Sequence, residues 1–380
     1  MKQVIWLAAI VMLLAACVSN NVEPPAPLVA FTPAVKVERI WSTSVGSADP
    51  ILRLGIVAAS DGSNVYTADR GGSVYAFALK NGNRLWRSET KLPLSAGPGV
   101  GDGLVLVGAS DGSVVALNAA NGAQIWKASV NGAILASPAV SPQAVIVHTI
   151  DGHIVALSAV SGQTLWTVSR DVPNLTLRGS GTPMITGNTV LQGLAGGQLL
   201  ALNLADGSQR WVATISAPQG SNELTRLAGL IGVLAADDSN VFAVNYQGRV
   251  ADVALDTGQI LWMRDMSSYT GVSADDAHVY VTDTHSAVWA LDKTNGVAVW
   301  TQPAMRARDL GVPVPFGSTV VAGDLQGYLF FLSKKDGSIV ARVSLGGDPI
   351  LAPPLVVNDT LVVLSSNGDI AAYKLAPLKP

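Results

Sequence analysis

Cysteine is almost absent. The 380-residue chain has one, Cys17, so no intramolecular disulfide can brace it. Charge is sparse too: 13% of residues are charged, and 27 acidic side chains face 24 basic ones. That balance lacks the basic field on which non-specific nucleic acid binding depends, so nucleic acid is excluded as a partner. Only four histidines are present. His148 and His153 flank one turn, "HTIDGH", and two imidazoles across a turn could begin a metal site. With no third ligand close in sequence, a satisfied or solvated pair accounts for them. No Gly-x-Gly-x-x-Gly loop and no His-Glu-x-x-His motif occurs, which removes the usual marks of dinucleotide binding and zinc hydrolysis. Carboxylates such as Asp69, Asp111, Asp151, Asp237, Asp238, Asp275 and Asp276 stand in turn-like sequence, where they can cap backbone amides rather than form an acid/base pair.

What the chain does have begins at its N-terminus. Lys2 is followed by thirteen apolar residues, Val4 to Ala16. A spanning helix needs about 20; a short apolar run ending in small residues is instead the pattern of a secretory signal. The cysteine that follows could be a buried apolar residue, a nucleophile, half of an intermolecular disulfide or a site of modification. Leu14-Ala15-Ala16-Cys17 resembles the bacterial lipobox, in which the cysteine is lipidated and becomes the new N-terminus. Val18 in place of Asp implies, through the same resemblance to enterobacterial lipoproteins, sorting to the outer membrane. Residues 1–16 then form a signal peptide. Residues 17–36 ("CVSNNVEPPAPLVAFTPAVK") read as a flexible tether with little capacity to build a core.

The remainder repeats. "GGSVYAFALKNGNRLW" (71–86) aligns with "DGSVVALNAANGAQIW" (111–126), "DGHIVALSAVSGQTLW" (151–166), "GGQLLALNLADGSQRW" (196–211), "QGRVADVALDTGQILW" (247–262), "HSAVWALDKTNGVAVW" (285–300) and "QGYLFFLSKKDGSIVA" (326–341). The pattern is Gly, nine residues, Gly, three residues, Trp; Ser286 replaces one first Gly and Ala341 one Trp. The second Gly follows Asn, Asp, Ser or Thr, the chemistry of a tight turn with positive φ. Between the glycines lies a strand such as "SVVALNA", alternating enough to bury one face, and the Trp sits on the next strand. Two short strands precede each unit, for example "ASPAV" and "AVIVHTI". Four strands in roughly 40 residues is the period of a β-propeller blade. An eighth blade starts at residue 350, but the chain ends before its fourth strand. "VERIWSTSV" (37–45), with Trp41 in the outer-strand slot, supplies that strand from the other terminus. The fold expected is all-β: an eight-bladed propeller over residues 37–376, closed by its N-terminal strand, with tryptophans packed between blades.

The repeat Ala-Leu-x-x-x-x-Gly-x-x-x-Trp resembles that of the quinoprotein dehydrogenases, which hold pyrroloquinoline quinone in an eight-bladed propeller. It is equally similar to the BamB-type lipoproteins of the outer-membrane β-barrel assembly machinery, which share the repeat without the cofactor. Lipobox, short tether, compact blades and no further domain favour the second family. A quinoprotein also implies a vicinal disulfide at its cofactor, which a chain with one cysteine cannot form. The resemblance therefore implies a non-enzymatic, cofactor-free scaffold, lipid-anchored at Cys17 on the periplasmic side of the outer membrane. Its implied partners are the Bam complex and, as possible clients, unfolded β-barrel proteins. A quinone-dependent enzyme or ligand-binding propeller is the alternative.

Two inter-blade connections are longer than the rest, "SRDVPNLTLRGSG" (169–181) and "SAPQGSNELTRLAG" (216–229). The first carries Leu175, Leu177 and Arg178. These leucines either tuck beneath their own loop or form a small apolar patch edged by arginine, a composition common in binding hot spots. In BamB-type proteins a Leu-x-Leu-Arg loop contacts the periplasmic POTRA modules of the barrel subunit BamA, and "LTLR" (175–178) implies that role here. The family's acidic residues in the following loop have no counterpart in "RLAGLIGVL" (226–234), which leaves Glu223, beside Arg226, as the candidate. Arg53, Arg178, Arg226 and Arg308 each stand just before an expected inner strand. Either they form a ring at one mouth of the channel, able to grip carboxylates through forked hydrogen bonds, or they are four independent solvated or salt-bridged side chains.

Overall fold

The computed structural model describes residues 23–46, 55–172, 181–216, 229–230 and 232–378. Its regular structure is 33 strands, with no helix among the described residues. They assemble into eight antiparallel blades around a ring. Blades 1 to 7 cover residues 59–89, 94–129, 139–169, 184–214, 235–265, 272–302 and 314–344. Blade 8 takes three strands from residues 355–376 and its outermost from Lys36–Ser44. That closing strand runs antiparallel to Asp369–Ala376, from Lys36 opposite Ala376 to Ser44 opposite Asp369, with Trp41 opposite Ala372. Blade 2 carries an extra parallel strand, Gly55–Ile56, against Leu94–Gly101.

Each blade is covered on both faces by its neighbours. The second and third strands are therefore buried almost throughout, as in Leu104–Ala109 and Ser113–Asn118. The single buried face expected for the third strand is replaced by two, and this is why these strands are short runs of Val, Leu, Ile and Ala. Alternation survives only in outermost strands such as Arg84–Glu89, whose outer face meets water.

Seven of the blade junctions share one device. The indole N–H of Trp86 donates to the Ala119 carbonyl of the next blade, 2.8 Å away, and its ring lies against Gly122 in the same turn. Trp41, Trp126, Trp166, Trp211, Trp262 and Trp300 repeat the hydrogen bond to Leu79, Ala159, Leu204, Leu255, Lys293 and Lys334. Gly122 has φ +72, and a Cβ there would stand 2.6 Å from the Trp86 ring. Glycine is thus required twice over, once by the turn and once by the indole. Between blades 7 and 8 the device is missing. Ala341 occupies the tryptophan slot, and where blade 8 would have its last turn the chain enters at Lys36 and leaves at Ala376.

Every outermost strand also bulges just before the tryptophan slot. The skipped residue points outward, and it accounts for exposed Leu85, Ile125, Leu165 and Leu261. A bulge twists an edge strand and discourages further pairing, so these apolar side chains sit on edges made poor templates for association.

Residues 23–35, expected to hang free as part of the tether, lie on the rim of blades 6 and 7. Four prolines keep this stretch out of the sheets, but Phe31 packs on the core between blades 6 and 7 and Val35 on that between blades 7 and 8. The sequence suggests a spacer because each contact is made with a residue about 300 positions away.

Candidate functional site

The ring has two unlike ends. At one, the tryptophans meet the turns between third and fourth strands. Asp237 of blade 5 bonds Lys293 of blade 6 at 2.8 Å there, and Asp275 of blade 6 bonds Lys334 of blade 7 at 2.9 Å. At the other, the linker end, each outermost strand passes to the innermost strand of the next blade beside the turns between second and third strands. Connections 169–181 and 216–229 start and finish at this linker end, in adjacent positions around the ring. Leu175, Leu177, Arg178, Glu223 and Arg226 within them, together with Arg53 and Cys17, lie outside the described residues.

Side chains build the linker end by folding back on the backbone. Asp69 accepts the Ser73 amide at 3.1 Å and the Tyr75 hydroxyl at 2.9 Å. Asp111 takes the Ser113 amide, and Asp283 the amides of His285 and Ala287 and the indole of Trp289. Asp237 and Asp275 do the same at the opposite end, for Ser239 and Asn240 and for Ala277 and His278. These carboxylates are spent on turn geometry, as their positions in the sequence suggest. The described part of the channel-mouth set is Arg308, and it is not a free guanidinium. It is 3% exposed. Its Nε donates to Asp324 at 2.7 Å, its Nη2 to Gln326 at 2.6 Å and its Nη1 to the Ala26 carbonyl at 2.7 Å. Asp324 in turn accepts the amides of Gln326 and Tyr328. The forked bonds reserved for a partner are here made within the chain, because a buried guanidinium must be satisfied locally. Nearby, the Tyr269 hydroxyl donates to Asp309 and its ring lies 6.4 Å from that of Tyr246. Nothing in the sequence pattern singles out this aromatic pair, which exists only through blade packing.

No catalytic array emerges among the described residues. No group of three or more His, Cys, Asp or Glu is placed to hold a metal. His148 is buried, faces the Gly181 carbonyl at 3.3 Å, and is pushed down to about 4 by burial, so it is neutral at pH 7. Gly108-Ala109-Ser110-Asp111-Gly112 matches the Gly-x-Ser-x-Gly pattern in letters, but it is a strand-to-strand turn rather than the strand-to-helix elbow that arms such a serine. A cleft of about 320 Å³ opens at the seam of blades 7 and 8 and is lined by Arg39, Ser44 and Asp369 among others. The Asp252 carboxyl is pushed up, to about 6, by burial and then by the charge of Asp237. It lies between blades 5 and 6, away from the linker end.

Comparison with known proteins agrees with this picture. The family model described as "Outer membrane protein assembly factor BamB" matches residues 70–302 and 290–376. A relative of that name from Pseudomonas aeruginosa is 47% identical over 371 residues, covering 97% of this chain and 98% of the relative. The crystal structure of BamB from Moraxella catarrhalis superposes with a TM-score of 0.82 at 26% identity, covering 89% of this chain and all of that one. A quinohemoprotein alcohol dehydrogenase from Pseudomonas putida superposes with a TM-score of 0.70 at 12% identity, over 90% of this chain and 77% of that one, a likeness of fold alone. With a matched family model spanning most of the propeller and a relative aligned over nearly its whole length, the chain belongs to the family of the outer membrane protein assembly factor BamB.

Proposed function

We infer that this chain is a non-enzymatic scaffold of the outer-membrane β-barrel assembly machinery, anchored by lipid at Cys17 and facing the periplasm. It docks rigidly: the loops carrying Leu175, Leu177 and Arg178, with Glu223 and Arg226 beside them, engage the POTRA modules of BamA. The observation that carries this reading is the emergence of both long connections at one end of the ring, in neighbouring positions, on a frame held by seven tryptophan junctions. Two loops on a rigid frame present one surface without ordering cost beyond their own.

The test is capture of a purified POTRA fragment by the full chain and by the triple variant Leu175→Ala, Leu177→Ala, Arg178→Ala. Loss of at least tenfold in affinity, about 1.4 kcal/mol, is expected with the melting curve unchanged; equal capture by both proteins removes these residues from the interface. The cofactor-free reading is checked by adding pyrroloquinoline quinone and Ca²⁺, where dye reduction above background would overturn it.

A further inference from the structure

Residues 23–35 cross the whole height of the rim. The crossing starts where the Ala34 amide donates to the Val340 carbonyl at 3.0 Å. It continues at Arg342, whose guanidinium lies 5.2 Å from the Phe31 ring and 6.0 Å from that of Tyr328 and donates to the Val29 carbonyl at 3.1 Å. It ends at the linker end, where Arg308 holds the Ala26 carbonyl, the Ala26 amide donates to the Arg306 carbonyl at 2.9 Å, and Arg306 forks onto Glu23. Contact positions in the strap fall as those along blade 7 rise, so the strap runs antiparallel to Ile339–Ser344 and delivers Glu23 to the linker end. Prolines suit this task, since each fixes φ and removes an amide that would otherwise need a partner.

The docking changes the length of the leash. From Cys17 to Lys36 a free chain reaches about 65 Å, but from Cys17 to Glu23 only about 20 Å, at roughly 3.3–3.6 Å per residue. The longer leash would let any side of the propeller meet a membrane. The shorter one allows only the part of the linker end around blades 6 and 7.

We propose that the strap is an orienting device that presents the linker end of blades 6 and 7 to a lipid surface. This deepens the scaffold reading and rests on lipidation of Cys17. It also places the lipid surface on the same end of the ring as the connections that carry Leu175 and Arg226, so the anchor and the partner loops share one side.

The test uses the full lipidated chain in vesicles of phosphatidylethanolamine and phosphatidylglycerol. A fluorophore is attached at His285→Cys, on the linker end, or at Lys335→Cys, on the tryptophan end, with Cys17 blocked by its lipid linkage. A quencher carried on the lipid headgroup is expected to act several-fold more strongly at 285 than at 335. Releasing the strap with Glu23→Arg, at an exposed ion pair, and Phe31→Ala, a half-buried contact of the strap with the rim, removes that difference while flotation with the vesicles persists. The melting curve and protease cleavage within 23–35 separate release from unfolding. Equal quenching in the floating wild-type protein, or a difference that survives release, overturns the orienting role and leaves the anchor intact. Failure of the wild type to float overturns the lipidation reading itself and this proposal with it.

Discussion

Arg308 shows how a residue can be visible in the sequence while its work is not. Its place before an inner strand follows from the repeat. Its partners do not, because Asp324 is sixteen positions onward and Ala26 is 282 positions back. Arg308→Ala leaves the buried Asp324 carboxylate without its counter-charge and should cost about 3–5 kcal/mol, read by denaturant unfolding. Asp252 gives a pH test. Its carboxyl is about 6 in the folded chain against an ordinary 3.8, so the folded state binds the proton more tightly than the unfolded one. The destabilisation is therefore present in full above about pH 6 and fades as the pH falls towards 4. Asp252→Asn should stabilise the protein by about 1–3 kcal/mol at neutral pH, with the advantage shrinking below pH 6. His148 works in the opposite sense, since burial depresses it and stability is lost as the pH falls from 6.5 towards 4. It contributes equally to both proteins, so comparing wild type with variant isolates Asp252. Ser286 stands at φ +66 in the one first-glycine position that lacks glycine. Strain of that kind is worth about 1 kcal/mol or more, and Ser286→Gly is expected to raise the melting temperature.

At the scale of elements, the blades were legible because each junction repeats its tryptophan and glycine within a single unit of sequence. The rest arises between units. Burial of the third strand on both faces and the Asp–Lys ties across blades 5, 6 and 7 depend on neighbours that a single repeat does not contain. Glycines with nearly the same backbone can be told apart by what surrounds them. Gly122→Ala drives a methyl into the Trp86 ring, whereas Gly103, at φ +75, has nothing within 4 Å. Gly103→Ala should cost about 1 kcal/mol of backbone strain alone, and Gly122→Ala clearly more, when their unfolding midpoints are compared. Trp126→Ala, which also leaves the Ala159 carbonyl without its donor, is expected to cost about 3–5 kcal/mol.

For the whole molecule, closure was legible from the missing fourth strand of the last blade, and the structure pairs that blade with Lys36–Ser44. The course of residues 23–35 was not, because proline-rich sequence without periodicity says nothing of what it will lie against. Deleting 23–35 should leave a monomeric ring with a modestly lower melting temperature. Deleting through Ser44 bares the edge of Asp369–Ala376 and is expected to give aggregates by size-exclusion chromatography. The seven tryptophan junctions leave one boundary without a rivet, that between blades 7 and 8. Tension applied ahead of Glu23 travels down the strap and enters the ring at that very boundary. It is borne first by Arg306, Arg308 and Arg342 and only afterwards by the ladder of the closing strand. A wheel loaded in this way has a designated place to give, and three guanidinium grips stand between the load and the place where it would open.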